Sequence, residues 1–229
     1  MAIKKGALEN MVNDQFWNGR RVLVTGATGM LGSWLIKELL KRRAYVVGFI
    51  MDHDNQTELF RSGDVQKIHS ITGQLEDFSA VERAINHHEV ETVFHLGAQT
   101  IVGSAYRAPL ATFEANIKGS YNLLEACRRH KGLVNRIVVA SSDKAYGEQK
   151  KLPYREDMPL EGRYPYEVSK SCADLLAQSY AVSYGLPVAI VRCGNIFGGG
   201  DLNWSRVIPG AIKAFLHDET FIIRSNGKY

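Results

Sequence analysis

Short apolar runs alternate with longer amphipathic stretches along the chain from Arg21 onward. The apolar runs are rich in Val and Ile, as is typical of strands that helices cover on both faces. We therefore predict six strands, over Val22–Thr25, Tyr45–Ile50, Lys67–Ile71, Thr92–Leu96, Arg136–Ala140 and Val188–Arg192.

The stretches between these runs carry apolar residues at helical spacing. Two such stripes are formed by Leu31, Leu35 and Leu39 and by Val81, Ala84 and Ile85. Two longer helices are predicted over Asn116–His130 and over Tyr166–Tyr184. Because strands that alternate with helices form βαβ units, the pattern predicts an α/β fold: a doubly wound Rossmann-type parallel sheet with helices on both faces.

The length of 229 residues fits one large domain or one domain with part of another. We divide the chain into an N-terminal extension (1–19), a Rossmann domain that carries the cofactor and catalytic residues (20–193), and the start of a substrate-binding region (194–229), which we expect to be truncated. Hydrophobic residues make up 45% of the chain and charged residues 23%, which argues against disorder.

Charge and cysteine content exclude several classes of protein. The net charge of +4 is small and scattered, so we expect no nucleic-acid binding. No apolar run approaches the ~18 residues that span a bilayer, and residues 1–16 lack the apolar core of a secretory signal, so we expect no membrane association. Three widely separated cysteines without a CxxC pair suggest reduced thiols, a cytoplasmic location and no bound metal.

A glycine-rich turn directly follows the first predicted strand. It reads Gly26-Ala27-Thr28-Gly29-Met30-Leu31-Gly32 and leads into the first predicted helix. Glycines let the backbone approach a pyrophosphate closely, and the positive end of the helix attracts that anion. Asp52, at the end of the second strand, can bind the adenosine ribose hydroxyls and would repel a 2′-phosphate. The turn therefore predicts NAD rather than NADP, bound by Gly26, Thr28, Gly29, Met30, Leu31, Gly32 and Asp52.

A serine, a tyrosine and a lysine form a candidate catalytic set. Tyr166 and Lys170 are four residues apart and share a helix face, and Ser142 follows the fifth strand at the edge where parallel sheets place their chemistry. A phenol with a pKa near 10 needs a shift of roughly three units, or about 4 kcal/mol, to act as a base at pH 7. We expect the Lys170 ammonium and a positive nicotinamide ring to supply it.

Together, these features resemble the extended short-chain dehydrogenase/reductase family, from about Phe16 to Gly210. Within that family the chain is most similar to the nucleotide-sugar 4,6-dehydratases, first to the CDP-glucose type and next to the GDP-mannose type. The resemblance rests on several motifs: Gly32-Ser33-Trp34-Leu35, Phe94-His95-Leu96-Gly97-Ala98-Gln99, Ser142-Asp143-Lys144-Ala145-Tyr146, Pro165-Tyr166-Glu167-Val168-Ser169-Lys170, and Gly194-Asn195 followed by Gly198-Gly199-Gly200-Asp201.

The resemblance implies roles for further residues. Asp143 and Lys144 would form the dehydration pair, and Asn195 and Arg206 would contact the bound nucleotide-diphosphate sugar. Leu96, Gly97, Ala98 and Leu75 would lie beside NAD, and Tyr166 and Lys170 would contact it as well as act in catalysis. Many family members have an Asp-Leu pair at this place, whereas this chain has Gln74-Leu75. The resemblance also implies a homodimer formed through the Asn116–His130 and Tyr166–Tyr184 helices.

Loss of water from the sugar would need both an acid and a base, which the dehydration pair can supply. Once the sugar C4 hydroxyl is oxidised to a ketone, loss of water across C5 and C6 needs a base for the C5 proton and an acid for the leaving hydroxyl. Asp143 suits the acid, and Lys144 or Tyr166 suits the base. Many family dehydratases have Asp-Glu here rather than Asp-Lys, so the base stays open.

Two other functions use part of the same residues. A UDP-sugar 4-epimerase needs Ser142, Tyr166 and Lys170 but gives Asp143 and Lys144 no task, and a non-catalytic dinucleotide-binding module needs only the glycine-rich turn. We expect the chain as given to bind NAD and to bind sugar nucleotides poorly. His95, in the fourth strand, is interpreted as a hydrogen-bonded core residue.

Overall fold

A six-stranded parallel sheet forms the centre of the computed structural model, which describes residues 15–223. Its strands are β1 (Arg21–Thr25), β2 (Tyr45–Ile50), β3 (His69–Thr72), β4 (Thr92–His95), β5 (Arg136–Ser142) and β6 (Val188–Cys193). They lie in the order β3-β2-β1-β4-β5-β6, and every neighbouring pair is parallel. This is the doubly wound order, whose switch point lies between β1 and β4, so the predicted fold class is confirmed.

Helices connect the strands and cover the sheet. They are α1 (Met30–Lys41), α2 (Glu58–Arg61), α3 (Phe78–His87), α4 (Val102–Arg107), α5 (Pro109–Phe113), α6 (Gly119–Arg129), α7 (Pro165–Tyr184) and α8 (Val207–Leu216). Single 3-10 turns cover Asp64–Lys67 and Asp143–Tyr146, and a π-helical turn over Glu114–Lys118 precedes α6. No helix within residues 15–223 has the length and apolar character to cross a membrane.

Two apolar clusters lie on opposite faces of the sheet. Val22 and Val24 of β1 pack in one cluster with Ile36 and Leu39 of α1. Leu23, between them in sequence, packs in the other cluster with buried residues of α3 and α6. Successive side chains of a strand point to opposite faces, so one apolar strand supplies both cores.

The third strand begins later than its apolar run predicts. The prediction over Lys67–Ile71 is wrong at its start, since β3 covers His69–Thr72. Residues Asp64–Lys67 form a 3-10 turn instead, in which the Lys67 ammonium lies 2.8 Å from the Asp64 carboxylate.

The predicted leucine stripe of α1 is wrong at its first position. Leu39 is buried, whereas Leu31 is 38% exposed. Gly32, Ser33 and Ile36 lie on the buried face of α1, because the first turn of α1 packs its backbone closely against the glycine-rich turn.

The helix predicted over Asn116–His130 becomes α-helical only at Gly119.

The predicted domain limits at residues 19 and 193 remain predictions. Residues 1–14 of the predicted extension and 224–229 of the predicted substrate region lie outside the described residues.

A buried histidine joins the two strands at the switch point. Thr25 Oγ1, at the end of β1, accepts hydrogen bonds from the amides of Leu96 (3.1 Å) and Gly97 (3.0 Å). Its two lone pairs are then used, so the hydroxyl donates to Nδ1 of His95, 2.9 Å away. The other ring nitrogen, Nε2, therefore carries the proton and donates to Ser120 Oγ at 3.1 Å. The interpretation of His95 as a hydrogen-bonded core residue is confirmed.

The same chain of hydrogen bonds continues to the helix that carries the candidate catalytic tyrosine. Ser120 Oγ donates to the Asn116 carbonyl at 2.5 Å. The Asn116 side-chain amide donates to Ser169 Oγ at 2.9 Å, and Ser169 Oγ donates to the Tyr166 carbonyl at 2.7 Å. The first turn of α7 is thus fixed to β1 and β4 through buried polar groups.

A second cross-link fastens the loop after β5. Arg192 of β6 donates to both carboxylate oxygens of Asp174 in α7, at 2.8 and 3.0 Å, and the Asp174 side chain is fully buried. The same guanidinium donates to the Tyr146 hydroxyl at 2.8 Å and to the Glu156 carbonyl at 3.0 Å. One arginine therefore holds a strand, a helix and the loop together.

We predict that Asp174→Asn destabilises the protein by about 3 kcal/mol, because it leaves the largely buried Arg192 charge without its counterion. Urea denaturation measures the change. The control is Asp157→Asn, which breaks an ion pair with Arg155 whose side chains are both 71% exposed, and should change stability little. Equal effects of the two substitutions would contradict the role given to Asp174.

We predict that His95 makes the protein less stable in acid. Burial, with a smaller contribution from the Lys170 charge, lowers the pKa of His95 to about 3, against about 6.5 in an unfolded chain. Below pH 6.5 the unfolded state binds a proton that the folded state does not, so stability present above pH 6.5 is lost progressively down to about pH 3. Between pH 7 and pH 5 this amounts to about 2 kcal/mol.

Urea denaturation at the two pH values tests this prediction. His95→Asn should remove about that much of the pH dependence, whereas His217→Asn, at an exposed site after α8, should leave it unchanged. Should the His95 variant not fold, the ring proton shifts of His95 in the unmodified protein answer the same question. Titration of His95 between pH 7 and pH 5 would show the prediction to be wrong.

Candidate active site

The glycine-rich turn after β1 brings two loops into close contact. Gly26 has a φ of +67°, and a Cβ there would lie 2.8 Å from the Gly97 backbone. A Cβ at Gly32 would lie 2.1 Å from the Gly26 carbonyl oxygen. Only glycine fits either place, since a side chain at Gly26 would push the turn away from the loop after β4, and one at Gly32 would push α1 away from the turn.

The N-terminus of α1 has the character of an anion site. Its N-cap is Gly29, no side chain caps its first amides, and no acidic residue lies in its first turn. Thr28 precedes the helix, and Met30 and Leu31 begin it, with Leu31 exposed. Free amides and the positive end of the helix dipole favour a bound phosphate group.

Asp52 lies beside this turn. It is exposed and follows the last residue of β2 by two positions, and β2 pairs with β1 so that Phe49 lies opposite Thr25. Its carboxylate therefore stands at the same sheet edge as the turn, where a ribose would follow a pyrophosphate. The close glycine cradle, the uncapped helix and this carboxylate together fit a dinucleotide.

The loop after β4 forms the next wall of the crevice. Leu96, Gly97 and Ala98 leave the sheet directly after His95 and are partly buried. Leu75 packs against this loop: a Cβ at Gly97 would lie 2.9 Å from Leu75 Cδ1, and one at Gly119 would lie 2.7 Å from Leu75 Cβ. The predicted backbone segments beside the cofactor thus meet at one place.

Ser142, Tyr166 and Lys170 come together at the carboxyl end of β5. Ser142 is its last residue and Tyr166 the second of α7, and the exposed fractions are 7% for Ser142, 9% for Tyr166 and 6% for Lys170. The Ser142 side chain lies close enough to Tyr166 to influence its pKa. The Lys170 ammonium donates to the Ala140 carbonyl at 2.9 Å. The structure therefore places the predicted set within one small region.

Burial and neighbouring charges act on the two titratable groups of this set. Burial raises the pKa of the Tyr166 phenol, and the nearby Ser142 hydroxyl and the positive charge of Arg206 oppose that rise. The Lys170 ammonium is bound to the backbone of β5, and its own pKa is lowered to about 8 by burial. Arg206 is therefore one cation that opposes the rise of the Tyr166 pKa.

Asp143 and Lys144 lie directly beside Ser142. Ser142 Oγ donates to Asp143 Oδ1 at 3.1 Å and accepts from the Lys144 amide at 3.2 Å. The Lys144 ammonium lies 3.8 Å from the Asp143 carboxylate, and the side chains are 45% and 24% exposed. The negative charge of Asp143 also acts to raise the pKa of Tyr166, which places it near the phenol. A carboxyl group and an amine thus border the catalytic set.

The predicted substrate residues lie on the segment after β6. Asn195 is exposed two positions beyond the strand, next to Gly194, where a Cβ would lie 4.0 Å from Asp143 Oδ2. Arg206 is the N-cap of α8 and pairs with the buried Asp201 carboxylate at 3.0 Å. The backbone next to Asn195 thus lies near Asp143, and the Arg206 charge acts on Tyr166.

Several residues of the site escaped the sequence reasoning. Thr25, Asn116, Ser120 and Ser169 support the site through the buried chain of hydrogen bonds. Polar residues within otherwise apolar strands and helix faces are the signal that could have found them, although it names no partners. Within residues 15–223, no group of His, Cys, Asp or Glu side chains has the arrangement of a metal site.

Comparison with known proteins agrees with this geometry. The sequence matches the NAD dependent epimerase/dehydratase family over residues 22–229. It is 36% identical over 228 residues to CDP-glucose 4,6-dehydratase from Salmonella typhimurium, covering 94% of this chain and 63% of that protein. The chain thus spans less than two thirds of that relative's length.

Two solved structures show the same architecture. A dTDP-glucose 4,6-dehydratase double mutant from Streptomyces venezuelae, crystallised with NAD, superposes with a TM-score of 0.80 at 26% identity, over 90% of this chain and 65% of that one. UDP-glucose 4-epimerase from Thermotoga maritima, crystallised with UDP-glucose, superposes with a TM-score of 0.82 at 27% identity, over 91% of this chain and 67% of that one. The fold, the motif and these relatives agree, and the chain belongs to the NAD dependent epimerase/dehydratase family.

Proposed function

We propose that the protein is an NAD-dependent nucleotide-sugar 4,6-dehydratase, a lyase that converts an NDP-hexose to an NDP-4-keto-6-deoxyhexose. The observation that carries the proposal is the position of Asp143 and Lys144. Their side chains border Ser142 and Tyr166 and supply an acid and a base beside the hydroxyl-oxidising set. The similarity to the Salmonella CDP-glucose 4,6-dehydratase supports the same reaction.

The glycine-rich turn and Asp52 would hold the cofactor. The first amides of α1 would bind the pyrophosphate, the Asp52 carboxylate would bind the adenosine ribose, and the loop from Leu96 to Ala98 would lie beside the dinucleotide. NAD, when bound, supplies the oxidised ring that accepts a hydride from C4 of the sugar and later returns it to C6.

Tyr166 takes the proton of the C4 hydroxyl in this proposal. Ser142 lies beside the phenol, and Lys170 fixes the helix face to β5 through Ala140. Because burial raises the phenol pKa, the phenolate depends on positive charge close by, of which Arg206 supplies part. The result of this step is a ketone at C4.

Asp143 and the base then remove water. The C4 ketone acidifies the C5 proton. Asp143 first gains the proton that it will donate, either from the Lys144 ammonium 3.8 Å away or from the Tyr166 phenol that received the C4 hydroxyl proton. The Lys144 amine or Tyr166 phenolate so formed takes the C5 proton, while the Asp143 carboxyl gives its proton to the departing C6 hydroxyl. The Ser142 hydroxyl holds the Asp143 carboxyl in place at 3.1 Å. These proton transfers convert the C6 hydroxyl to water and leave a C5–C6 double bond for reduction.

The segment after β6 would bind the sugar diphosphate. Arg206 offers a guanidinium that Asp201 orients, and Asn195 offers an amide beside Asp143. The proposed substrate class is therefore a nucleotide-diphosphate hexose, and CDP-glucose is the first to test because the Salmonella relative carries that name.

The proposal includes a homodimer formed through α6 and α7. Tyr121 of α6 and Leu175 and Val182 of α7 are apolar yet 38%, 55% and 86% exposed. Leu175 and Val182 are seven positions apart and so share one helix face, which gives the surface the apolar stripe that helix packing requires.

We predict that the chain binds NAD at least about tenfold more tightly than NADP, because the Asp52 carboxylate repels a 2′-phosphate. Calorimetric titration with each cofactor measures the preference. Asp52→Asn should reduce it by roughly tenfold, whereas Asp54→Asn, which changes a neighbouring exposed carboxylate, should not. Equal binding of both cofactors by the unmodified chain would remove the role given to Asp52.

We predict that Asp143→Asn and Lys144→Met in the full-length protein each slow the loss of water by about 10² to 10⁴-fold while C4 oxidation continues. Mass spectrometry of products from CDP-, GDP- and UDP-hexoses measures the loss of water, and nicotinamide absorbance measures oxidation. A 4-keto hexose with its C6 hydroxyl intact should accumulate. The control is Tyr166→Phe, which should bind cofactor normally but stop oxidation as well.

A 4-epimerase would behave differently in the same experiment. The similarity to the Thermotoga epimerase makes this the alternative activity. An epimerase would give a product of unchanged mass, and neither Asp143→Asn nor Lys144→Met would slow its formation. Either result would contradict the dehydratase proposal.

A further inference from the structure

Three consecutive glycines after β6 lie against helix α1. We call residues 198–200 the strap. The Trp34 indole Nε1 donates to the Gly199 carbonyl at 2.7 Å, across 165 positions of sequence. This bond joins the segment that carries Asn195 and Arg206 to the helix whose first turn is the proposed pyrophosphate site.

Two of the three strap glycines, Gly199 and Gly200, pack tightly against their neighbours. A Cβ at Gly199 would lie 3.3 Å from Trp34 Cζ2, and a Cβ at Gly200, where φ is +79°, would lie 3.0 Å from Glu58 Cβ. A Cβ at Gly198 would lie 3.8 Å from Met30 Sδ. The strap therefore crosses the first two turns of α1 and reaches the start of α2.

The Trp34 ring is itself held in place. The Lys37 ammonium lies 4.6 Å from the centre of the ring and 2.5 Å from the Glu58 carboxylate. The Lys37 and Glu58 side chains are 23% and 19% exposed, so this ion pair is partly screened from water. The contact with Lys37, which Glu58 holds in turn, thus fixes the Trp34 ring whose N–H donates to the strap.

The strap lies between the two halves of the site. Met30 is the first residue of α1, at the proposed pyrophosphate site, and Arg206, six positions beyond Gly200, is the proposed ligand of the sugar diphosphate. A loop fixed at its middle has fewer conformations to lose when substrate orders it, which lowers the cost of binding.

We propose that Trp34 is a positioning residue that fastens the strap across α1 and so holds the Asn195–Arg206 segment ready for the sugar nucleotide. The effect on the sugar nucleotide rests on the proposed function. The anchoring of the strap does not, because it depends only on contacts within the chain.

Hydrogen exchange tests the anchoring on the chain as given. Trp34→Phe keeps a ring for Lys37 but loses the N–H, so the amides of residues 198–206 should exchange about fivefold faster, as expected for one lost hydrogen bond. The control is Trp17→Phe, which makes the same change at a ring that packs on Phe94, away from the strap. Unchanged exchange in Trp34→Phe, or equal acceleration in both variants, overturns the proposal.

A double substitution separates anchoring from general destabilisation. Gly199→Ala places a methyl group against Trp34 Cζ2, an atom that phenylalanine lacks. The methyl group should therefore speed exchange of the strap in the unmodified background and have less effect beside Trp34→Phe. Fully additive effects would show that residues 34 and 199 act independently, which overturns the proposal.

Steady-state kinetics of the full-length enzyme tests the functional consequence. Trp34→Phe should raise KM for the sugar nucleotide by about three- to tenfold and leave kcat within about twofold, since the reacting groups stay in place. A lower kcat with unchanged KM overturns the positioning role. If no sugar nucleotide is a substrate, the proposed function fails, while the exchange experiments still decide whether Trp34 anchors the strap.

Discussion

One threonine hydroxyl holds the crevice on which the rest of the site depends. In a doubly wound sheet, the chain leaves β1 and β4 in opposite directions, and the gap between these loops is where a dinucleotide binds. Thr25 Oγ1 spans that gap by accepting the amides of Leu96 and Gly97. This fixes the distance between the loops, so that the backbones of Gly26 and Gly97 meet with no room for a side chain.

The same hydroxyl sets the protonation of the buried network behind it. Because Thr25 must donate to His95 Nδ1, the imidazole stays neutral and donates its Nε2 proton to Ser120. Further hydrogen bonds connect Ser120 to Asn116 and Asn116 to Ser169. Every polar group along this path has a partner, which makes the network stabilising and its geometry unique. The α7 backbone at Tyr166 is therefore connected by hydrogen bonds to the same strands that hold the cofactor crevice.

The sequence patterns predicted the features of this structure that depend on residues close together in the chain. The strands, the glycine-rich turn and the Tyr166–Lys170 spacing each follow from a few adjacent residues, and the structure has them where the patterns place them. Leu31 and β3 were predicted less well, because the close packing of Gly32 and the turn at Asp64–Lys67 outweighed the apolar pattern. The partners of His95 and Trp34 could not be predicted, since they lie on other elements up to 165 positions away.

The two halves of the site have different kinds of support. The cofactor half stands on strand ends and a helix start that hydrogen bonds within the sheet hold in place. The substrate half stands on loops, which Arg192 fastens at Tyr146 and Glu156 and Trp34 fastens at Gly199. Loop residues can change without disturbing a sheet. This division explains how a dehydratase from Streptomyces and an epimerase from Thermotoga superpose on this chain almost equally well. Both superpositions extend over about nine tenths of this chain, so the fold does not distinguish the two reactions. Under the proposed function, the reaction that follows oxidation depends on a few side chains, of which Asp143 and Lys144 are bonded to Ser142 here.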